Sequence, residues 1–245
     1  MNYEVYKLKG SKIGGYILEY MAVTFIISYL FYDSIYIFLI FLPGVIPFMA
    51  FKRKRLRTER QRDIKREFID MIMSVSAALS SGFSIENSFR ESYRDMVSLH
   101  GKDAMISKEL EGFFKQLSIG VNLEEILYDY GTRTGVEEIK DFAEIFVMAK
   151  RNGGDFIKMI VHTVNILKEK EDTENEIEVL LSGKKMEQRI MSVIPFVILM
   201  YLRVSTGGFL DILYHNTRGI FIMSVCLVIY IFAYFMAERI TDIKV

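Results

Sequence analysis

Charge is almost missing from both ends of this 245-residue chain, and that vacancy constrains its fold more than any motif does. Apart from Glu19 and Asp33, nothing charged occurs between Ile13 and Phe51. Between Ile190 and Ala237 the only charges are Arg203, Asp211 and Arg218. The block between them, residues 52–189, holds 49 of the 62 charged residues. Segregation on this scale predicts an all-α chain in which a water-soluble helical domain is flanked by N- and C-terminal transmembrane hairpins. It argues against a soluble enzyme and for a membrane-fixed scaffold or a transporter.

The net charge of zero conceals an asymmetry. Residues 52–66 carry nine basic and two acidic side chains, among them Lys52, Arg53, Lys54, Arg55 and Arg57, whereas residues 67–189 carry fifteen basic and twenty-three acidic ones. A basic cluster can mark nucleic-acid binding or a cytoplasmic membrane flank. Its place directly after Phe51 favours the flank, because orientation follows Lys and Arg close to membrane ends. No nucleic-acid partner is expected. The single cysteine, Cys226, lies in the last apolar run and excludes an intrachain disulfide. The first apolar run leads straight into a second one, so no cleavable signal peptide is expected.

Residues 16–51 are too long for one spanning helix and short for two, since a helix needs roughly 17–20 residues to cross. The turn Tyr32-Asp33-Ser34 divides them into arms at 16–31 and 35–51. This reads as a tight hairpin, with a re-entrant hairpin as the alternative. Pro43 and Pro47, one turn apart, are expected to kink the second arm. Glu19 reads as a snorkelling residue near the interface. The C-terminal pair occupies 190–237 with helices over about 186–206 and 219–237, Pro195 as a kink in the first, and an outer loop between them. Lys7, Lys9, Lys12, the 52–66 cluster, Lys184, Lys185, Arg189, Arg239 and Lys244 then fall on one side. By the positive-inside rule that side is the cytoplasm, together with residues 1–15 and the tail 238–245.

The block 67–189 reads as helix throughout, with no Pro between Pro47 and Pro195. Ile64, Phe68, Ile72, Val75 and Leu79 form an apolar stripe, as do Ile106, Leu110, Phe113 and Leu117, and Ile139, Phe142, Phe146 and Ala149. These are core faces of an antiparallel bundle. Three corners share a pattern: Gly82 then Ser84, Gly120 then Asn122, and Gly153-Gly154 then Asp155. Gly ends one helix in the left-handed conformation, and Ser, Asn or Asp caps the next. Asn122 with Glu125 resembles a capping box. The corners are 38 and 33 residues apart, so each interval can hold a pair of helices. From Asp155 nothing breaks the pattern until Gly183 and Pro195, so the last helix of the block is expected to run into the membrane as one rod. Lys168–Glu176 loses the apolar stripe and reads as a solvated stretch or as an arm for a basic partner.

No zinc spacing, phosphate-binding loop or nucleophile elbow occurs, and His100, His162 and His215 are scattered. The chain is expected to be no enzyme and to need no metal or cofactor.

The stretch Phe68–Leu79 followed by Ser81-Gly82-Phe83-Ser84-Ile85-Glu86 resembles the start of the type II secretion system F domain. Gly120-Val121-Asn122-Leu123-Glu124-Glu125-Ile126-Leu127 is similar to that family's second corner, and Gly153-Gly154-Asp155-Phe156 to the turn before its long helix. Ile194-Pro195-Phe196 and Gly219 also fit. The resemblance covers about residues 64–240 and is nearest to Tad-type (Flp pilus) platform proteins. Ile126 and Phe156 depart from the family's usual residues, in packing only. The resemblance implies a multi-pass plasma-membrane platform of a type IV-like pilus or type II secretion machine. Its implied partners are a hexameric cytoplasmic secretion ATPase, pilin transmembrane helices, the lipid bilayer and a paralogous F-family protein, in a homo- or hetero-oligomer. The competing expectation is an oligomeric small-solute transporter or channel subunit.

Overall fold

The computed structural model of the chain describes residues 10–152, 156–206, 208, 211–214 and 216–241. The corner Gly153, Gly154 and Asp155 lies outside the described residues, as do Lys7, Lys9, Gly207, His215 and Lys244. Among the described residues all regular structure is helical.

Helix α1 spans Gly10–Phe31. It begins six residues before the expected arm at Tyr16, which relieves the apparent shortage of length: 22 residues at 1.5 Å each give ~33 Å, against a bilayer core of about 30 Å. The chain then turns at Asp33, which takes a left-handed φ of 47°. The second arm is not one kinked helix. Helix α2, Ile35–Phe41, gives way to a 3-10 turn at Leu42–Gly44, and helix α3 starts at Val45. Pro43 lies at the opening of the 3-10 turn and Pro47 in the first turn of α3, where a missing N–H forfeits no helical bond. With the ladder interrupted, Val45 N–H bonds to Leu42, and the carbonyl of Phe41 instead accepts the Tyr20 hydroxyl at 2.6 Å. Gly44 makes room for it, since a Cβ there would stand 2.2 Å from that oxygen.

Helix α3 runs from Val45 to Ser80 without a break. The basic stretch 52–66 is therefore the interior of a helix that starts in apolar sequence. Nothing in 48–80 could interrupt it, because no Gly or Pro occurs there. Helices α4 (Ile85–His100), α5 (Met105–Ser118), α6 (Leu123–Thr134) and α7 (Glu137–Asn152) follow. Helix α8, Phe156–Ser205, is 50 residues long and continues through Pro195. A short helix α9, Asp211–Tyr214, precedes α10, Thr217–Thr241. Four stretches among the described residues are long and apolar enough to cross a membrane: Ile13–Phe31, Ile35–Ser80, Phe156–Ser205 and Thr217–Ile240.

The chain divides into two units. Of the described residues, the first takes Arg53–Thr173 and the second those up to Lys52 and from Glu174 onward. The division differs from the expected domains 52–66 and 67–189. All of the basic stretch except Lys52 belongs to the helical unit, while residues 174–189, charged as they are, go with the apolar one. Both α3 and α8 contribute to both units, whereas only the last helix of the block was expected to run on.

The helical unit is built around one apolar core. Ile64, Phe68, Ile72, Val75 and Leu79 of α3 are all buried in it, with Ile106, Leu110 and Phe113 of α5 and Ile139, Phe142, Phe146 and Ala149 of α7; Leu117 packs at its edge. Rings pack edge-on across helices, Phe68 on Phe142 at 5.5 Å and Phe146 on Phe156 at 5.3 Å. Each interval between corners holds two helices, α4 with α5 and α6 with α7. Gly82 (φ 91°) and Gly120 (φ 88°) adopt the positive φ that ends α3 and α5. Ser84 and Asn122 do precede α4 and α6, but neither side chain makes a capping bond, which corrects the capping-box expectation. Their extended backbone instead presents the carbonyl: Ser84 O accepts Ser88 N–H at 2.8 Å, and Asn122 O accepts Glu125 and Ile126 N–H at 3.1 Å.

The apolar unit has a small core of Leu30, Phe31, Tyr214, Met223 and Leu227. Most of its other large apolar side chains face outward: Ile40, Val204, Phe221 and Phe232 are more than two-thirds exposed. Cys226 is exposed as well.

Candidate functional site

In the helical unit a subset of the ionisable side chains forms seams between helices. Lys65 and Arg66, adjacent on α3, each reach a carboxylate from a different helix. Lys65 Nζ lies 2.9 Å from Glu138 Oε1, at the start of α7, and Lys170 of α8 reaches the same oxygen at 2.8 Å. Arg66 pairs with Glu171 of α8 at 3.6 Å, and Lys168 joins that carboxylate at 3.1 Å. Glu171 is only 5% exposed. The charged run Lys168–Glu176 is thus not simply solvated: its Lys170 and Glu171 make the ionic contacts of α8 with α7 and α3. Sequence periodicity missed this because a buried carboxylate between cations carries no apolar signature. Burial alone would push the Glu138 carboxyl up; the bonds from Lys170 and Lys65 outweigh it and hold the group at about 2.

A second seam joins α5 and α6. Arg133 donates to both oxygens of Glu109, at 3.2 and 2.9 Å, and to Asp129 at 2.6 Å. These bonds raise the guanidinium pKa further. Glu67 on α3 accepts the backbone N–H of Ile106 at 2.8 Å and so does the capping at the start of α5 that no local residue does. His100, at the end of α4, lies 2.9 Å from Asp70 of α3. The corner between α6 and α7, not singled out from sequence, depends on Gly135 (φ 63°), whose carbonyl accepts the Gln61 amide at 3.1 Å. Next to it Gly131 lets α6 approach α7: a Cβ would lie 3.0 Å from Lys140 Cα.

In the apolar unit polar groups gather at the turns. Asp33 pairs with Arg203, which also donates to the carbonyl of Tyr29 and lies 3.7 Å from the centre of that ring. Tyr214 donates to the Leu30 carbonyl at 2.7 Å, and Tyr32 shares a hydrogen bond with Ser224 at 2.8 Å. Gly219 allows α9 to close on α10, since a Cβ would stand 2.3 Å from the Leu213 carbonyl oxygen. Glu19, expected to snorkel near the interface, is paired with Lys52 of α3 at 3.1 Å. Lys52 lies also 5.1 Å from the Tyr16 ring centre.

Of the other basic residues singled out from sequence, Arg55 pairs with Glu59 at 3.3 Å, while Arg53 and Lys54 are exposed. Gly82, Gly120, Ser84 and Asn122 lie at corners as described. Among the described residues no group of three or more His, Cys, Asp or Glu is placed to hold a metal ion. No family model matches the chain, and no curated protein or solved structure is significantly similar to it. What the residues define is an all-helical membrane protein with four candidate spans.

Proposed function

We propose that the chain is a multi-pass platform protein of the plasma membrane that couples a cytoplasmic secretion ATPase to the assembly of a type IV-like (Tad/Flp) pilus or a type II secretion machine. In this reading the helical unit is a cytoplasmic antiparallel bundle, the apolar ends form two membrane hairpins, and both termini are cytoplasmic. The bundle binds the hexameric ATPase; the hairpins contact pilin transmembrane helices and, in an oligomer, further copies or a paralogue. The chain performs no chemistry of its own.

One observation carries the proposal. Two helices, α3 and α8, pass without interruption from apolar sequence into the shared core of the helical unit. A hydrogen-bonded helix resists bending, so displacement at one end reaches the other, whereas a flexible linker would absorb it. The ionic seams support the same reading, because they fasten α8 to α3 and α7 just before the helix leaves that core.

The test separates coupling from binding. A Gly-Gly-Gly-Ser insertion after Lys52 and another before Ile190 break the two helices and leave the core untouched. Pilin display is expected to disappear while the ATPase still co-purifies with the full-length protein. Normal display with both insertions in place sinks the coupling role; loss of ATPase from the wild-type complex sinks the partner assignment.

A further inference from the structure

The cations beside the apolar stretches fall into two groups, and the difference between them points to a ligand. Of the four consecutive cations Lys52–Arg55, two have partners: Lys52 holds Glu19 and Arg55 holds Glu59. Arg53 and Lys54 have no ion-pair partner among the described residues. On α8, Lys184 pairs with Glu187 at 3.0 Å, whereas Lys185 and Arg189 have none. On α10, Arg239 has none either. Each of these five lies one to five residues from the charge-free run of its helix. The neighbouring apolar side chains are themselves exposed: Phe51 at 51%, Ile190 at 54% and Ile240 at 64%. The other ends of the runs are mixed: Arg203 is neutralised by Asp33 and by the Tyr29 carbonyl and ring, whereas the exposed Arg218 has no ion-pair partner among the described residues.

An exposed cation in plain water is unremarkable, because solvent and salt screen it. A cation one turn beyond apolar side chains that face lipid is in a different medium. It stands at the depth of the headgroups, where the aliphatic stem packs on acyl chain and the charge meets phosphate. Arg is suited to bind phosphate oxygens in pairs, and Lys to hold them as a point charge. We propose that Arg53 and Lys54 on α3, Lys185 and Arg189 on α8, and Arg239 on α10 bind the headgroups of anionic phospholipids. The inference rests on the membrane placement proposed above but not on any pilus or ATPase role.

The experiment uses the full-length protein in an uncharged detergent, titrated with short-chain phosphatidylglycerol or phosphatidylcholine. Bound lipid is counted by native mass spectrometry, and the melting temperature is followed in parallel. Phosphatidylglycerol is expected to bind roughly tenfold more tightly than phosphatidylcholine and to raise the melting temperature, as headgroup attraction of this kind allows. R53Q/K54Q and, separately, R189Q/R239Q each reduce that preference, while K115Q, an exposed cation far along the sequence from any apolar run, leaves it intact. Glycerol phosphate, the soluble headgroup alone, does not reproduce the stabilisation. A preference that survives both double variants, or is lost equally in K115Q, or is matched by glycerol phosphate, overturns the proposal. Should one double variant lower the melting temperature in phosphatidylcholine too, the other carries the test. Pilin display that fails while the lipid preference persists would count against the platform role and not against this one.

Discussion

The two units bury their apolar residues in opposite ways. In the helical unit Phe68, Phe113, Phe142 and Phe146 are wholly enclosed, and charge seams close the helices around them. In the apolar unit the aromatic and aliphatic residues mostly face out, and beside the small core around Leu30 and Phe31 the enclosed groups are polar: Thr24, Ser28 and the hydroxyl of Tyr214. Water drives the first arrangement, because enclosing apolar area is the main gain available there. Lipid removes that gain, so packing and internally satisfied polar groups hold the second together. The difference teaches that one rule of burial cannot be applied along this chain.

The sharpest way to break the comparison is truncation of an enclosed ring. Phe142→Ala is expected to destabilise the helical unit by about 3–5 kcal/mol, read as the midpoint of denaturant unfolding of the detergent-solubilised protein. A cost below about 1 kcal/mol would mean that the core is not closed. Next comes a charge placed on an outward side chain. Val228 is 66% exposed in the middle of α10, and Val228→Lys is expected to raise the apparent insertion free energy by about 2.5–3.5 kcal/mol in a translocon assay. Were α10 in water, that substitution would be silent.

Acid should loosen the helical unit selectively. Glu138 is held at about 2 against an ordinary 4.5, so its folded form binds its proton later than the unfolded chain does. Its contribution is therefore complete above about 4.5 and is lost as pH falls from there toward 2. E138Q is expected to flatten the fall in melting temperature over that window, and an unchanged slope would remove the seam from the list of stabilising contacts. The smallest effect is at a corner. Gly82→Ala meets no atom within 4 Å, but φ is 91°, so a cost of about 1–2 kcal/mol is expected from backbone strain alone.

Much of the helical unit was legible because its stripes recur at three and four residues and its corners carry Gly. The three stripes name residues that are in fact buried or packed on the core. The capping side chains were not legible. A Ser or Asn before a helix can cap it, but whether it does depends on a neighbour: Glu67, thirty-nine residues away, serves the start of α5. The second arm was misread for a related reason. Two prolines in an apolar run look like kinks, yet both sit where a helix starts, and the segment's true break is the 3-10 turn at Leu42–Gly44. The candidate sites were the least legible part. Glu171 looks like a solvated charge until α3 and α7 bring Arg66 and Glu138 beside the α8 segment, and Arg203 and Asp33 are 170 residues apart.

By itself the sequence determined the helical class, the four apolar stretches, the core stripes and the continuity of the last long helix. All of these follow from local rules of period, length and the absence of breakers. Only the tertiary structure decided which carboxylate neutralises which cation, that α3 as well as α8 belongs to both units, and which cations are left without a partner. Those outcomes depend on side chains far apart in the chain meeting within a few ångströms. No local pattern encodes that meeting, because a charge looks the same in sequence whether it ends in a pair, in water or at a phosphate.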